Sequence, residues 1–227
     1  MVQPWSEKKL GLKQYFSDFP YDRKWPVLLL FAFVIPFYGC ALWSKDSVVF
    51  HAINYPAPKP TNESTIPETI MVYRFLMDSS VDTHYLLISD QNSKSKVLTN
   101  HAWTEDPSVM LTALAIRDLE SSGAFQKAVD QTSNVPYRYA LEGAIKKFEG
   151  VVNKAKGSGL IEVEVKLIDF EPRSVGRNQL MKKDYVIETL SADTSPESLV
   201  KALKQGANEL SEKIRNDVRK SVTQDSQ

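Results

Sequence analysis

Cys40 is the side chain with the most recognisable chemistry in this chain, and it is the single cysteine. It closes an apolar run over residues 25–40 that follows a segment carrying lysines and an arginine. A basic flank, a short apolar stretch and a small residue before a cleavage point are typical of an export signal. Because Gly39 precedes the cysteine, cleavage between them would leave Cys40 at the new amino terminus, where it can carry a lipid. We therefore predict Cys40 as a lipidation site.

The same apolar run allows a second interpretation. If it continues through Ala41, Leu42 and Trp43 without cleavage, it approaches the lower limit of about 17 residues for a membrane-spanning helix. In either case the basic flank stays on the cytoplasmic side and the bulk of the chain is exported. The sequence thus predicts a membrane-tethered extracytoplasmic protein, with the type of anchor left open.

Other residues with chemical potential lie in patterns that favour structural roles. Glu162 and Glu164 share one face of a predicted strand and could form a carboxylate pair, but their alternation with apolar residues is typical of a solvated sheet face. The histidines His51, His84 and His101 are scattered, which favours surface or packed positions over metal binding. The sequence has no Gly-rich phosphate loop, no paired metal-ligand spacing and no nucleophile motif. We predict a protein without catalytic residues, metal or cofactor.

Charge and length narrow the class of protein further. The 28 Lys and Arg residues balance the 28 Asp and Glu residues, so no basic field indicates nucleic-acid binding. The part of the chain that follows the export segment is long enough for one domain of roughly 150 residues with a substantial core. A single cysteine excludes an intramolecular disulfide, so side-chain packing must stabilise the fold.

Composition divides the chain into segments. Their predicted bounds are 1–24 for a basic cytoplasmic region, 25–43 for a signal or membrane anchor, 44–67 for a Pro-rich linker, 68–221 for the folded domain and 222–227 for a polar tail. Prolines remove backbone donors and favour extended conformations, so 44–67 is predicted to be a semi-rigid spacer. Fully extended, this spacer would reach roughly 75 Å.

Hydrophobic periodicity in the folded domain predicts an α/β (α+β) fold, in which two long helices cover a mostly antiparallel sheet. Strands are expected at 69–77, 83–89, 96–100, 137–148, 160–170 and 184–189. The clearest pattern is that of 160–170, where Ile161, Val163, Val165 and Leu167 alternate with charged residues.

Helix signals bracket two segments of the same domain. The first helix should begin after Asp106 as N-cap, with Pro107 in its first position, and should end near Gly123. The second should run over 196–221, behind a capping box formed by Thr194 and Glu197. Its apolar stripe, which includes Leu210, should pack on the sheet.

Several motifs of this domain resemble the family of ABC-type transport auxiliary lipoproteins. The similar segments, which follow one another in the family's order between residues 68 and 221, are 83–85, 101–107, 119–125, 137–143 and 160–169. The resemblance implies a lipid-anchored periplasmic protein encoded with MCE-type transporters, similar to the paraquat-inducible operon lipoprotein. It also implies an α/β fold like that of the amino-terminal domain of the Tol translocation protein.

The resemblance further implies partners and a location. The partners would be an MCE-domain protein, a membrane permease and a cytoplasmic ATPase, with lipids or hydrophobic compounds as cargo. The domain would act as an adaptor at the periplasmic face of the outer membrane, with Cys40 as the lipidated residue, and could form a homo-oligomer. Trp103 and Tyr85 are the predicted partner contacts, because aromatic residues are enriched in interface cores. Trp103 could equally cap the sheet.

Two other functions stay open on the sequence alone. One is an uncleaved, inner-membrane-anchored scaffold whose domain touches a partner without a role in transport. The other is a periplasmic lipid-binding carrier, which would need an internal cavity lined by apolar residues. An adaptor would instead fill that space with side chains.

Overall fold

The computed structural model describes residues 47–61, 64–77, 84–90, 94–154, 156–171 and 178–225. These residues form nine strands and two helices. The strands are β1 (Val49–His51), β2 (Ile66–Val72), β3 (Leu76–Met77), β4 (Tyr85–Asp90), β5 (Ser95–Trp103), β6 (Phe125–Asp130), β7 (Tyr139–Asn153), β8 (Lys156–Asp169) and β9 (Asn178–Leu190). The helices are α1 (Pro107–Ser121) and α2 (Pro196–Asp225). Neither helix is long and apolar enough to cross a membrane.

The sheet is organised around β7. One side of β7 pairs antiparallel with β8 along almost its whole length, and β8 pairs antiparallel with β9. The other side of β7 pairs in turn with β2, β3 and β4, all parallel to it. β6 extends the sheet beyond β2, while β5 and then β1 extend it beyond β4. The long ladders are therefore antiparallel, as predicted, and most of the short ladders are parallel.

The core lies between one face of this sheet and the two helices. The predicted inward residues of β8, namely Ile161, Val163, Val165 and Leu167, are all 1% exposed or less. The apolar stripe of α2 faces them, and its members Leu203, Leu210, Ile214 and Val218 are 3% exposed or less. Each such side chain contributes about 1.5–3 kcal/mol by leaving water. The strand pattern and the helix stripe are thus confirmed as the two halves of one core.

Gly159 allows α2 to approach β8 closely. A Cβ atom at this position would lie 2.7 Å from the backbone nitrogen of Leu203 and 2.9 Å from the carbonyl carbon of Ala202. Backbone atoms of a packed helix cannot yield as the end of a side chain can. Glycine at 159 therefore sets the distance between the helix and the sheet.

The predicted ends of α1 are confirmed. The Asp106 carboxylate accepts a hydrogen bond from the backbone N–H of Ser108 at 2.8 Å, and Pro107 takes the first helical position. Gly123 follows the helix with φ of +69°, in the left-handed region that favours glycine.

The predicted ends of α2 need correction. Pro196 is the first helical residue, so Ser195 rather than Thr194 occupies the cap, and its hydroxyl accepts from the N–H of Ser198 at 3.3 Å. At the other end the helix continues to Asp225, through most of the predicted polar tail. The helix extends because Val222, only 3% exposed, adds one more residue to the buried stripe.

The predicted linker over 44–67 is also corrected where it is described. β1 lies within it and pairs with β5, and Ile53 is buried at 5% exposed. The backbone N–H of Thr61 donates to the carbonyl of Ser122 at 3.1 Å. The prolines disfavour a helix but allow an extended chain that packs on the surface, and the apolar residues between them supply contacts. The folded domain therefore begins well before residue 68.

Candidate functional site

Of the predicted site residues, Trp103 and Tyr85 lie close together on the neighbouring strands β5 and β4. Cys40 lies outside the described residues. Trp103 ends β5 and is 4% exposed, with its ring edge-to-face against Phe148 at 5.4 Å between centroids. Its burial fits the alternative that it packs the end of the sheet, and leaves a partner little of the side chain to touch. Tyr85 is half-buried on β4, opposite Ala102, and stays a predicted contact.

Glu162 and Glu164 lie on the outer face of the sheet, in a lattice of ion pairs. Lys147 contacts Glu162 at 3.0 Å. Three lysines surround Glu164, namely Lys166 and Lys182 at 3.3 Å and Lys146 at 3.7 Å. Exposed pairs of this kind contribute about 0–1 kcal/mol each. This arrangement is a solvated charged face, as the alternation predicted. Within the described ranges, no three histidine, cysteine or carboxylate residues gather as ligands for one metal ion.

His51 and His101 form a contact that the sequence did not reveal. They lie on the neighbouring strands β1 and β5, with Nε2 of His51 2.9 Å from Nδ1 of His101. Their rings stack 5.2 Å apart at an interplanar angle of 9°. One nitrogen must donate and the other accept, so the hydrogen bond needs at least one neutral ring. Burial lowers the pKa of His51, and the charges of His101 and Lys204 lower it further against the opposing effect of Glu197.

This lowered pKa predicts a pH dependence of stability. The ordinary pKa of histidine is 6.5, so in acid the unfolded chain takes up a proton at position 51 before the folded chain does. Stability from this group is therefore full above pH 6.5 and declines as the pH falls below it. We expect urea midpoints measured from pH 8 to pH 5 to fall more steeply for the wild type than for His51→Gln. Parallel curves would show that His51 titrates alike in both states.

A buried polar cluster holds residues 52–61 against both helices. The Asp118 carboxylate of α1 accepts from the Tyr55 hydroxyl at 2.8 Å and from the Ser211 hydroxyl of α2 at 2.5 Å. Arg117 pairs with the same carboxylate at 2.7 Å, stacks over the Tyr55 ring and donates to the Tyr55 carbonyl. Burial raises the pKa of Tyr55, and the Asp118 charge adds to the rise. We call these four residues the Asp118 cluster. It ties the start of the domain to its centre.

β9 presents a long edge of the sheet. Among the described residues its strand partner is β8, and its other edge pairs with no strand. Val186 and Leu190 are 63% and 78% exposed, and their spacing of four places them on one face. The N–H and C=O groups along such an edge can pair with an added strand. We call the outer edge of β9, together with Val186 and Leu190, the β9 docking edge. It is a surface that can bind an extended segment.

Two surface grooves lie elsewhere on the domain. The larger, of about 700 Å³, is lined by the start of β2, by Arg138 and by the last turns of α2. The Arg138 guanidinium forms ion pairs with Asp169 and Glu171, each at 2.8 Å. Its hydrogen bond to Asp169 raises the pKa of Arg138. The smaller, of about 320 Å³, includes Arg74, Glu164 and Lys166. Both carry charged residues at their walls, while the buried apolar side chains between the sheet and the helices pack together in one core cluster. Neither groove is the apolar chamber that a lipid carrier needs.

Comparisons with known proteins match most of the folded part. The family model described as "ABC-type transport auxiliary lipoprotein component" matches residues 52–215. Its match begins inside the segment first predicted as a linker, in agreement with the packing of that segment. No curated protein matches this chain significantly.

Solved structures share the fold. Protein XCC0632 from Xanthomonas campestris is 14% identical with a TM-score of 0.69, and the alignment covers 78% of this chain and 99% of that one. A further structure, of an uncharacterized protein, is 13% identical with a TM-score of 0.59 over 76% of this chain and 99% of its own. At such low identity these two likenesses establish the architecture alone.

Proposed function

The chain belongs to the family of ABC-type transport auxiliary lipoprotein components, and we propose that it works as a membrane-tethered adaptor that binds its transporter partner through the β9 docking edge. The observation that carries this proposal is the long outer edge of β9, which pairs with no strand in the described part of the chain and carries Val186 and Leu190, the two most exposed large apolar residues of that strand. Exposed apolar residues on a strand edge favour aggregation unless a partner covers them.

The partner that we propose is an MCE-domain protein acting with a permease and an ATPase, with lipids or hydrophobic compounds as cargo. Family membership supports this choice of partner. The filled core supports a binding role over a carrier role, because a carrier would hold its cargo in an apolar chamber. The domain would contribute binding and positioning, with no catalysis of its own.

The tether in this proposal is short. We propose Cys40 as its lipidated residue, at the periplasmic face of the outer membrane. Since folded structure begins with β1 at Val49, which pairs with β5, only about eight residues lie between Cys40 and the folded domain, a reach of roughly 32 Å. The domain would therefore meet its partner beside the membrane. Tethering also raises its local concentration there, so a weak interface could stay occupied.

Site-specific crosslinking in cells tests the docking edge. A photoreactive amino acid at position 186 or 190 should yield a crosslinked product that contains the MCE-domain partner. The matched control is position 126, because Gln126 is also exposed on a strand at the margin of the sheet, β6. Products from 126 but none from 186 and 190 would contradict the proposed edge.

A charge substitution gives a second measurement of the same interface. The double variant Val186→Lys, Leu190→Lys should keep the wild-type urea midpoint, because both side chains are exposed. Its affinity for the purified partner should fall about tenfold or more, since charge replaces apolar contact at the edge. The control variant Gln126→Lys should bind as the wild type does. Unchanged affinity of the double variant would count against the β9 docking edge.

A further inference from the structure

Three consecutive apolar residues follow Ser47, the first described residue of the chain. Val48 and Val49 are each 42% exposed and Phe50 is 67% exposed. They lie on and just before β1, whose strand partner among the described residues is β5 alone. We call Val48, Val49 and Phe50 the β1 tip. Its side chains face solvent although the core of the same domain takes up Ile53 only three residues later.

The β1 tip is fixed rather than free to fold away. Val49 and Phe50 are in register with His101 and Ala102 of β5. His51 then bonds to His101, and the Asp118 cluster holds Tyr55. The side chains of Val49 and Phe50 therefore stay at the surface as long as the domain is folded.

If the chain is tethered as proposed, the length of the preceding chain limits how far this tip can lie from the membrane. The apolar run ends at Trp43, five residues before Val48, and Cys40 lies eight residues before it. A fully extended chain covers at most about 3.6 Å per residue, so the tip lies within roughly 18 Å of Trp43 and roughly 29 Å of Cys40. Either predicted anchor would therefore keep the β1 tip near the bilayer surface. An aromatic ring beside aliphatic residues suits the boundary between headgroups and acyl chains.

We propose that the β1 tip inserts into the surface of the bilayer to which the chain is tethered. The proposal rests on the proposed tether, and commits to a lipid surface rather than a protein as the occupant. Contact through Val48, Val49 and Phe50 at one edge of the sheet turns the opposite edge away from the lipid. That opposite edge is β9, so insertion would orient the docking edge toward the periplasmic space.

Spin-label depth measurements on the full chain test this contact. The chain is reconstituted in liposomes of phosphatidylethanolamine and phosphatidylglycerol, with a nitroxide attached at Phe50→Cys. We expect frequent collisions with oxygen, which dissolves in the bilayer, and few with a water-soluble nickel complex. The matched control is Val186→Cys, which has a similar exposed fraction of 63%. It lies five strands away, roughly 24 Å across a flat sheet. Its label should collide mainly with the nickel complex.

The possible outcomes distinguish a failure of the β1 tip proposal from a failure of the proposed lipidation at Cys40. Labels at 50 and 186 that are equally accessible to the nickel complex would overturn the proposal, because these liposomes contain no partner protein that could hide the tip. Uptake of label by the chain without an added cysteine would show that Cys40 is a free thiol, and would refute lipidation instead. The depth comparison would then be repeated in a Cys40→Ser background, where the apolar run itself anchors the chain. An intact fold in both labelled variants is checked by their melting curves.

Discussion

Replacing Leu210 with aspartate should leave the domain at the limit of stability or unfolded. Leu210 is 2% exposed in the middle of α2 and belongs to the main core cluster. Aspartate there would lose the apolar contact and bury an unpaired charge, which together cost more than about 4 kcal/mol. Since domains of this size are stable by about 5–15 kcal/mol, we expect a large fall in the urea midpoint or the loss of a cooperative transition.

A residue two positions away in the same helix offers a control with the same introduced charge. Asn208 is exposed on the water side of α2, so Asn208→Asp should change the free energy of unfolding by no more than about 0.5 kcal/mol. Comparable loss in the two variants would mean that an acidic residue in this helix is harmful in itself. It would contradict the placement of Leu210 in the core.

The parts of the fold that could be predicted are those with a regular local pattern. The period of β8 and the stripe of α2 follow from residue spacing, because each face of these elements is uniformly wet or uniformly buried. The start of α1 was equally readable, since Asp106 and Pro107 act on atoms within one helical turn. Local interactions of this kind leave their signal in adjacent residues.

A β-bulge in β7 interrupts the hydrophobic alternation from which a strand is predicted. The register of β7 against β8 shifts between Ile145 and Lys147. Across this bulge the buried residues Ile145 and Phe148 are three positions apart, so the alternation changes phase. The predicted strand at 137–148 contains this bulge, and the observed strand continues beyond it to Asn153. Its parallel pairing with β2, β3 and β4 depends on contacts far apart in sequence, which spacing does not encode.

The amino-terminal segment differs from its predicted role as a linker for the same reason. Its prolines are visible in the sequence, but the partners of Tyr55 and His51 are 63 and 50 positions away. The aromatic type of Trp103 allows either a partner contact or packing at the end of the sheet, and its exposure of 4% fits the packing. A usable signal was present in Val48, Val49 and Phe50, an apolar triplet between the anchor and the domain. Such a triplet either packs or meets another apolar surface.

The Asp118 cluster gives the second large expected effect. Asp118 is 1% exposed, and Asp118→Ala would leave the Tyr55 and Ser211 hydroxyls and the Arg117 guanidinium without their shared acceptor. Breaking a buried ion pair costs about 3–5 kcal/mol. Arg117 is 30% exposed and can turn to water, so we expect a loss near the lower end of this range, about 3 kcal/mol, in urea denaturation.

Proteolysis would show where this loss acts. Because Tyr55 loses its partner, residues 52–61 should become sensitive to a protease in Asp118→Ala under conditions in which the wild type resists. Tyr55→Phe, which removes a single hydroxyl and keeps the carboxylate paired with Arg117, should cost only about 1 kcal/mol. Glu120→Ala, on the exposed side of the same helix, controls for alanine in α1 and should behave as the wild type. If Asp118→Ala melted as Glu120→Ala does and the segment stayed resistant, the attachment of residues 52–61 would depend on Ile53 and β1 alone. If residues 52–61 are cleaved in Asp118→Ala while its free energy of unfolding falls less than that of Leu210→Asp, the Asp118 cluster acts mainly by attaching this segment to the core.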